Sequence, residues 1–153
     1  NIMKGYWNKP DQTASVLQYG GYLTGGVGYL NEDGYLFLVD RSKDMIVSGG
    51  ENVYSTEVED VLYRHPAVLE AAVFGVPDDK WGEAVHAVVV PRPEADTPDP
   101  AELIEFCREH IGGYKVPKGI DIQHEPLPKS GPGKVLKREL RAPFWEGSDR
   151  AVN

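Results

Sequence analysis

Apolar and polar positions change rhythm several times along the chain. From Ser55, the residues Val58, Val61, Leu62 and His65 fall on one side at helical spacing, and Pro66 ends that run. Ser55 is expected to cap the helix. Val68 to Val76 and Ala84 to Val90 are dense in β-branched and small apolar residues and predict two strands. Pro91 to Pro98 is a proline-broken acidic loop. Asp99-Pro100-Ala101-Glu102 then offers a cap, a first-turn proline and a capping-box acid. Leu103, Cys107 and Ile111 form the stripe of the helix that follows, widened by Ile104 and Phe106 and stopped by Gly112-Gly113. Ile120-Asp121-Ile122 reads as a short strand, Pro126 to Gly133 as a loop, and Val135 to Arg141 as a final helix.

The first 40 residues follow no such rhythm. Pro10-Asp11-Gln12-Thr13 resembles a helix start, and Gly20 to Gly28 is glycine-rich. Tyr29-Leu30 and Tyr35 to Val39, split by Asn31-Glu32-Asp33-Gly34, predict a hairpin. This stretch lacks the periodicity for a core of its own. The expected fold class is α+β: a small three-layer-like domain with a short mixed sheet and about three helices, preceded by a β-hairpin.

Between the two parts lies the densest chemistry. Asp40-Arg41-Ser42-Lys43-Asp44 is followed by an apolar Met45-Ile46-Val47 and by Ser48-Gly49-Gly50-Glu51-Asn52-Val53-Tyr54. Gly49 and Gly50 admit backbone angles closed to other residues and close approach of a ligand, although a plain glycine turn reads the same way. Lys134 follows Gly131-Pro132-Gly133 and is either a mobile ammonium on a bendable loop or a solvated lysine at a helix start. Trp81 is either an exposed platform or a core anchor.

Composition narrows the partners. The 153 residues carry a formal net charge of -8, with 41% apolar and 26% charged residues, an ordinary globular balance. An acidic total disfavours nucleic acid. Gly113 to Arg141 nevertheless holds Lys115, Lys118, Lys129, Lys134, Lys137, Arg138 and Arg141, a local basic surface suited to a small polyanion. No apolar run of about 18 residues occurs, so no spanning helix is expected. No secretory leader or peroxisomal address is visible, and a single cysteine, Cys107, fits a reducing compartment; the expected localisation is cytoplasmic. His65, His86, His110 and His124 lack ligand spacing, so no metal site is expected.

Four motifs in order and spacing carry a resemblance: Asp40 to Tyr54; Val76-Pro77-Asp78-Asp79-Lys80-Trp81-Gly82-Glu83; Tyr114-Lys115-Val116-Pro117-Lys118; and Leu127-Pro128-Lys129-Ser130-Gly131-Pro132-Gly133-Lys134. Together they resemble the C-terminal portion of AMP-forming acyl-CoA synthetases of the adenylate-forming superfamily. The resemblance implies that 1–40 ends a large N-terminal adenylation domain, 41–43 is a hinge, 44–145 is a mobile C-terminal domain and 146–153 is a tail. It implies ATP, CoA and Mg2+, with the magnesium ligands outside this chain, and the large domain as partner. Lys134 matches the catalytic lysine that meets carboxylate and phosphate oxygens during adenylation. Arg41 matches the nucleotide-binding arginine at the ribose, where a planar donor fork suits a vicinal diol. Lys43 matches the hinge position. Gly49 and Gly50 match the loop along the pantetheine channel, and Trp81, Tyr114 and Lys118 match the CoA-binding aromatics and a phosphate-binding lysine.

The implied activity is ATP-dependent conversion of a carboxylic, fatty or other acyl, acid to its adenylate and then to acyl-CoA, not by this segment alone. Gly-Gly-Glu-Asn-Val-Tyr differs from the Gly-x-Arg-Ile-Glu pattern of amino-acid adenylation domains and points to free CoA as acceptor. Two departures stand out: Pro132 replaces a threonine, and Gly26 replaces the aspartate of a Thr-Gly-Asp. Loss of that charged partner would weaken nucleotide binding by on the order of 1.5–3 kcal/mol. The alternative is a non-catalytic CoA-binding or docking module.

Overall fold

A computed structural model describes residues 2–147, which separate into two compact units divided between Ser42 and Lys43. Each is described by itself.

In the first unit α1 (Pro10–Val16) starts at a proline, whose fixed φ suits a first helical turn. It leads into the two-residue strands β1 (Leu17–Gln18) and β2 (Gly21–Tyr22), paired with each other. β3 (Gly26–Leu30) and β4 (Leu36–Arg41) form the expected antiparallel hairpin. Its turn is closed by Asn31, whose side chain accepts the Tyr35 N–H at 2.8 Å, and by Gly34 at φ 81°. None of the described residues of this unit is buried. Tyr29 and Phe37 stack at 5.2 Å across the hairpin and are both exposed.

The second unit is a three-layer α+β domain. Its sheet starts with β5 (Ile46–Ser48) and β6 (Glu51–Val53), joined by the Gly49-Gly50 turn. After α2 (Ser55–Arg64) come two long antiparallel strands, β7 (Val68–Asp78) and β8 (Gly82–Pro91). α3 (Pro100–His110), β9 (Gly119–Ile122) and α4 (Lys137–Trp145) complete the domain. β8 is central: β7 covers one side, while β5 meets it at Gly82 and β9 runs parallel beside His86 to Val89 on the other.

Alternation along β7 and β8 feeds two cores. Ala71, Val73, Val85, Ala87 and Val89 face α2 and α3, where Val58, Val61, Leu62, Leu103 and Cys107 close the larger cluster. Ala72, Phe74, Val88 and Val90 face the opposite way, against Leu127, Val135 and Leu140 beside α4. Burial of about 25 cal/mol per Å² of apolar surface on both faces holds the three layers together. Burial also pushes the Cys107 thiol up to about 11.

Among the described residues, no strand pairs with the outer side of β7. Tyr63 donates its hydroxyl to the Ala71 carbonyl (3.3 Å), Glu59 accepts the Val73 N–H (2.7 Å) and the Trp145 indole N–H reaches the Gly75 carbonyl (3.0 Å). Side chains from α2 and α4 thus satisfy one backbone group at each of three alternate residues, Ala71, Val73 and Gly75.

Several expectations are corrected. Tyr54 occupies the N-cap of α2, and Ser55 is its first helical residue. The Ser55 hydroxyl instead accepts from Lys137 Nζ at 2.7 Å. Asp99 does cap α3, taking the Ala101 N–H at 2.7 Å, whereas Glu102 lies 3.6 Å from His65 Nε2. The last helix starts at Lys137 rather than Val135, because Val135 pairs with Lys129 across a small bridge. Most of the expected tail, 148–153, lies outside the described residues.

Candidate functional site

The Lys134 hairpin is built from its stem outward. Leu127 is buried among the apolar residues beside α4. The Leu136 N–H donates to the Pro128 carbonyl and the Ser130 N–H to the Lys134 carbonyl, both at 2.8 Å. The Gly133 N–H closes the tip on the Ser130 carbonyl at 2.8 Å, with Gly133 at φ 84°. The Ser130 hydroxyl accepts the Lys134 N–H at 3.2 Å. The backbone of Lys134 is therefore fixed while its side chain is exposed.

Its cationic neighbours have other duties. Lys115 Nζ grips the Glu57 carboxylate at 2.6 and 2.8 Å, and that hydrogen bond raises the Lys115 pKa above the ordinary lysine value. Lys129 pairs with Glu70, and Lys137 with Glu59 at 2.7 Å and with the Ser55 hydroxyl. Among the described residues Lys118, Lys134, Arg138 and Arg141 form no ion pair. The basic surface read from the sequence thus resolves into tethered lysines and a smaller free set.

Gly49 and Trp81 are brought together. The Gly49 N–H donates to the Trp81 carbonyl at 2.8 Å. A side-chain carbon on Gly49 would lie 2.6 Å from the indole Cε3, so glycine is required there by the ring as well as by its φ of 62°. Gly50, at φ 87°, faces open space. Asp78 supports the turn under Trp81 by accepting the N–H groups of Lys80 (2.9 Å) and Trp81 (2.8 Å). Lys80 Nζ lies 4.5 Å from the indole centroid. The indole is 42% exposed, so it serves at once as a brace for the glycine turn and as an open ring surface.

Sequence reasoning left two supports of this corner without a role. Asp78 could have been found from the Asp-Asp-Lys-Trp-Gly turn chemistry. Glu83 could not, because its carboxylate accepts the Val47 N–H (2.9 Å) from a strand 36 residues away.

Tyr114 is exposed on the segment after α3, its ring 5.5 Å from Lys115 Nζ. Lys118 follows it, exposed, with its N–H bound to the Val85 carbonyl at 2.8 Å. In the first unit, Arg41 is the cross-strand partner of Gly26. Its N–H donates to the Asp40 carboxylate at 2.7 Å, and its guanidinium makes no ion pair among the described residues. Opposite Arg41, where the resemblance calls for a carboxylate, the hairpin carries a glycine. Lys43 is exposed and is the first residue of the second unit. No group of three or more His, Cys, Asp or Glu among the described residues is arranged to hold a metal ion. No helix among them is long and apolar enough to cross a membrane.

The second unit is thus a small three-layer α+β domain that carries a hydrogen-bonded lysine hairpin and a glycine turn braced by tryptophan. The chain belongs to the family of AMP-binding enzyme C-terminal domains, which its residues 57–134 match. It is 49% identical over 144 residues to a feruloyl-CoA synthase of Amycolatopsis, covering 94% of this chain and 29% of that protein. It is 48% identical to a long-chain-fatty-acid–CoA ligase of Bacillus subtilis, over 91% of this chain and 24% of the relative. Among solved structures, the o-succinylbenzoate CoA synthetase of Bacillus subtilis, in complex with its acyl-adenylate intermediate, superposes with a TM-score of 0.83 at 37% identity. That match covers 100% of this chain and 30% of the other. The chain thus spans under a third of the length of the relatives it matches.

Proposed function

We propose that this chain is the C-terminal part of an AMP-forming acid–CoA ligase. The whole enzyme uses ATP to convert a carboxylic acid to an acyl-adenylate and then passes the acyl group to the thiol of CoA, with Mg2+ held outside this chain. The larger N-terminal domain is the partner, a fatty or other acyl acid is the substrate class, and the cytoplasm is the compartment this reading carries.

The observation that carries it is Lys134: an exposed ammonium on a hairpin whose every backbone turn is hydrogen-bonded, flanked by lysines already paired with glutamates. Attack of a carboxylate on the α-phosphorus, with loss of pyrophosphate, concentrates negative charge on oxygens. A positioned ammonium stabilises that charge electrostatically. Arg41 addresses the ribose hydroxyls through its guanidinium. Gly50, open and free of a side chain, lets the narrow thiol arm pass, while Trp81 and Tyr114 offer rings to the adenine and Lys118 an ammonium to its phosphates. Base stacking on an aromatic ring is worth about 1–3 kcal/mol. At Trp81 a stacked base shares or displaces the Lys80 ammonium. Division of the chain between Ser42 and Lys43 supports a hinge there.

Acid-dependent ATP–pyrophosphate exchange by the full-length enzyme tests the reading. Lys134→Ala is expected to lower exchange by about 10²-fold or more, as removal of one transition-state donor does. Exchange equal to the parent's removes Lys134 from adenylation. The glycine facing Arg41 favours a second reading, a CoA-binding or docking module without catalysis. That reading holds if the parent binds CoA but runs no exchange with any acid.

A further inference from the structure

The Lys134 hairpin leaves and rejoins the domain at two lysines, and each is tied to a glutamate far away in sequence. On the outgoing side, Glu70 of β7 accepts the Leu127 N–H through Oε2 at 2.9 Å and Lys129 Nζ through Oε1. On the return side, Lys137 Nζ donates to Glu59 Oε1 and to the Ser55 hydroxyl, each at 2.7 Å. Glu59 Oε1 also accepts the Val73 N–H of β7 at 2.7 Å. The glutamates are mostly shielded from water, with side chains 18% and 15% exposed. The tip residues Gly131 and Gly133, by contrast, would meet no atom even with a side chain added. Apart from the apolar residues at its stem, the hairpin owes its attitude on the sheet to these two clamps.

We propose that Glu70 with Lys129, and Glu59 with Lys137, are positioning pairs that set the direction in which the hairpin presents Lys134. This rests on the reading of Lys134 given above, and it assigns Lys129 and Lys137 to the scaffold instead of to the substrate. The physical reason is preorganisation. An ammonium on a four-carbon stem stabilises developing charge only if its backbone is already placed, and a displacement of about 1 Å can cost about 10²-fold in rate. A hairpin without its outgoing clamp keeps its internal ladder but swings about Leu136. The lowered pKa of Glu70, caused first by the Lys129 hydrogen bond, agrees with a carboxylate that stays ionised and paired.

Four variants of the full-length enzyme test the outgoing clamp: Glu70→Gln, Lys129→Met, Lys129→Arg and, as reference, Lys134→Ala. The readouts are acid-dependent pyrophosphate exchange, thioester formation from supplied acyl-adenylate, and hydrogen exchange at the Gly133 and Lys134 amides. Glu70→Gln and Lys129→Met are expected to lower exchange kcat about tenfold or more, with KM for ATP within about twofold. Thioester formation stays within about twofold of the parent, and the two tip amides exchange faster. Lys129→Arg, which keeps the ion pair, restores adenylation to within about threefold. Equal losses in both half-reactions overturn the proposal, because a merely structural role moves both. Tip amides unchanged in Glu70→Gln overturn it whatever the activity. If Lys134→Ala abolishes exchange while Glu70→Gln retains it, only the clamp is refuted. If Lys134→Ala retains exchange, the reading of Lys134 falls and the clamp falls with it.

Discussion

The indole of Trp81 stands where a side chain on Gly49 would have to go, and the Trp81 carbonyl holds the Gly49 N–H at 2.8 Å. Two turns about 30 residues apart in the chain are thereby one object. Gly49→Ala meets both a left-handed backbone and the ring, whereas Gly50→Ala meets only the backbone. The backbone part costs about 1–2 kcal/mol, and overpacking adds about 1–3 kcal/mol. Trp81→Ala removes the second part, so Gly49→Ala combined with Trp81→Ala is expected to be less destabilising than the sum of the two. Denaturant unfolding of the four proteins measures the coupling. Strict additivity would show that the ring does not constrain the turn.

Lys137 and Lys134 are three residues apart, the first paired with Glu59 and the second exposed, and their removal is expected to affect stability unequally. Lys137→Met takes the ammonium from the Glu59 carboxylate, whose side chain is 15% exposed and which keeps the Val73 N–H. The expected loss is about 1.5–3 kcal/mol. Lys134→Met removes a side chain from open surface and is expected to stay within about 0.5 kcal/mol of the parent. Comparable unfolding midpoints for the two variants would contradict the assignment of Lys137 to the scaffold.

The pH dependence of the two shifted ion pairs has opposite signs. The folded-state pKa of Glu70 is lowered from 4.5, so its contribution is present above that value and disappears as pH falls through the lower folded one. The Lys115 pKa is raised from 10.5, so its contribution is complete below that value and disappears as pH rises through the higher folded one. The stability difference between parent and Glu70→Gln is therefore expected to be flat near neutrality and to shrink in acid. The difference for Lys115→Met is expected to shrink in strong alkali. Unfolding titrations across the pH range check both, and a step near pH 7 in either difference would refute it.

Cys107 is fully buried on the inner face of α3, and its thiol is pushed up to about 11 by that burial. Neither thiolate nor access is available near neutral pH. Alkylation by iodoacetamide at pH 7.5 is expected to be at least about 10²-fold slower in the native protein than in denaturant. Mass spectrometry of Cys107 peptides reads this directly, and equal labelling would mean that α3 opens freely.

Local grammar made much of the domain legible. β-formers at Val68–Val76 and Ala84–Val90, the Asp99-Pro100 start and the Asp33-Gly34 turn each declare their element within a few residues, and all appear. The hairpin β5–β6 is only half legible in sequence, because Glu51-Asn52-Val53 has little strand character and pairs across the Gly49-Gly50 reversal. Ser55 looked like a cap because serine caps helices in general. Its partner, Lys137, is 82 residues distant and invisible to local reading. The same holds for Glu57 with Lys115 and Glu70 with Lys129, separated by 58 and 59 residues. Sequence motifs located the lysine-bearing loop. Which of its lysines are tethered depends on tertiary pairing that no local pattern encodes.

Among the described residues, the outer border of β7 meets side chains and no further strand: Tyr63, Glu59 and Trp145 occupy backbone groups of Ala71, Val73 and Gly75. An eleven-residue, largely apolar strand left open is a template on which a neighbouring molecule can grow its own sheet. Those three side chains therefore cap the middle of that edge. Polypeptides cut before residue 145 are expected to self-associate through β7, well before they lose the core that carries Lys134.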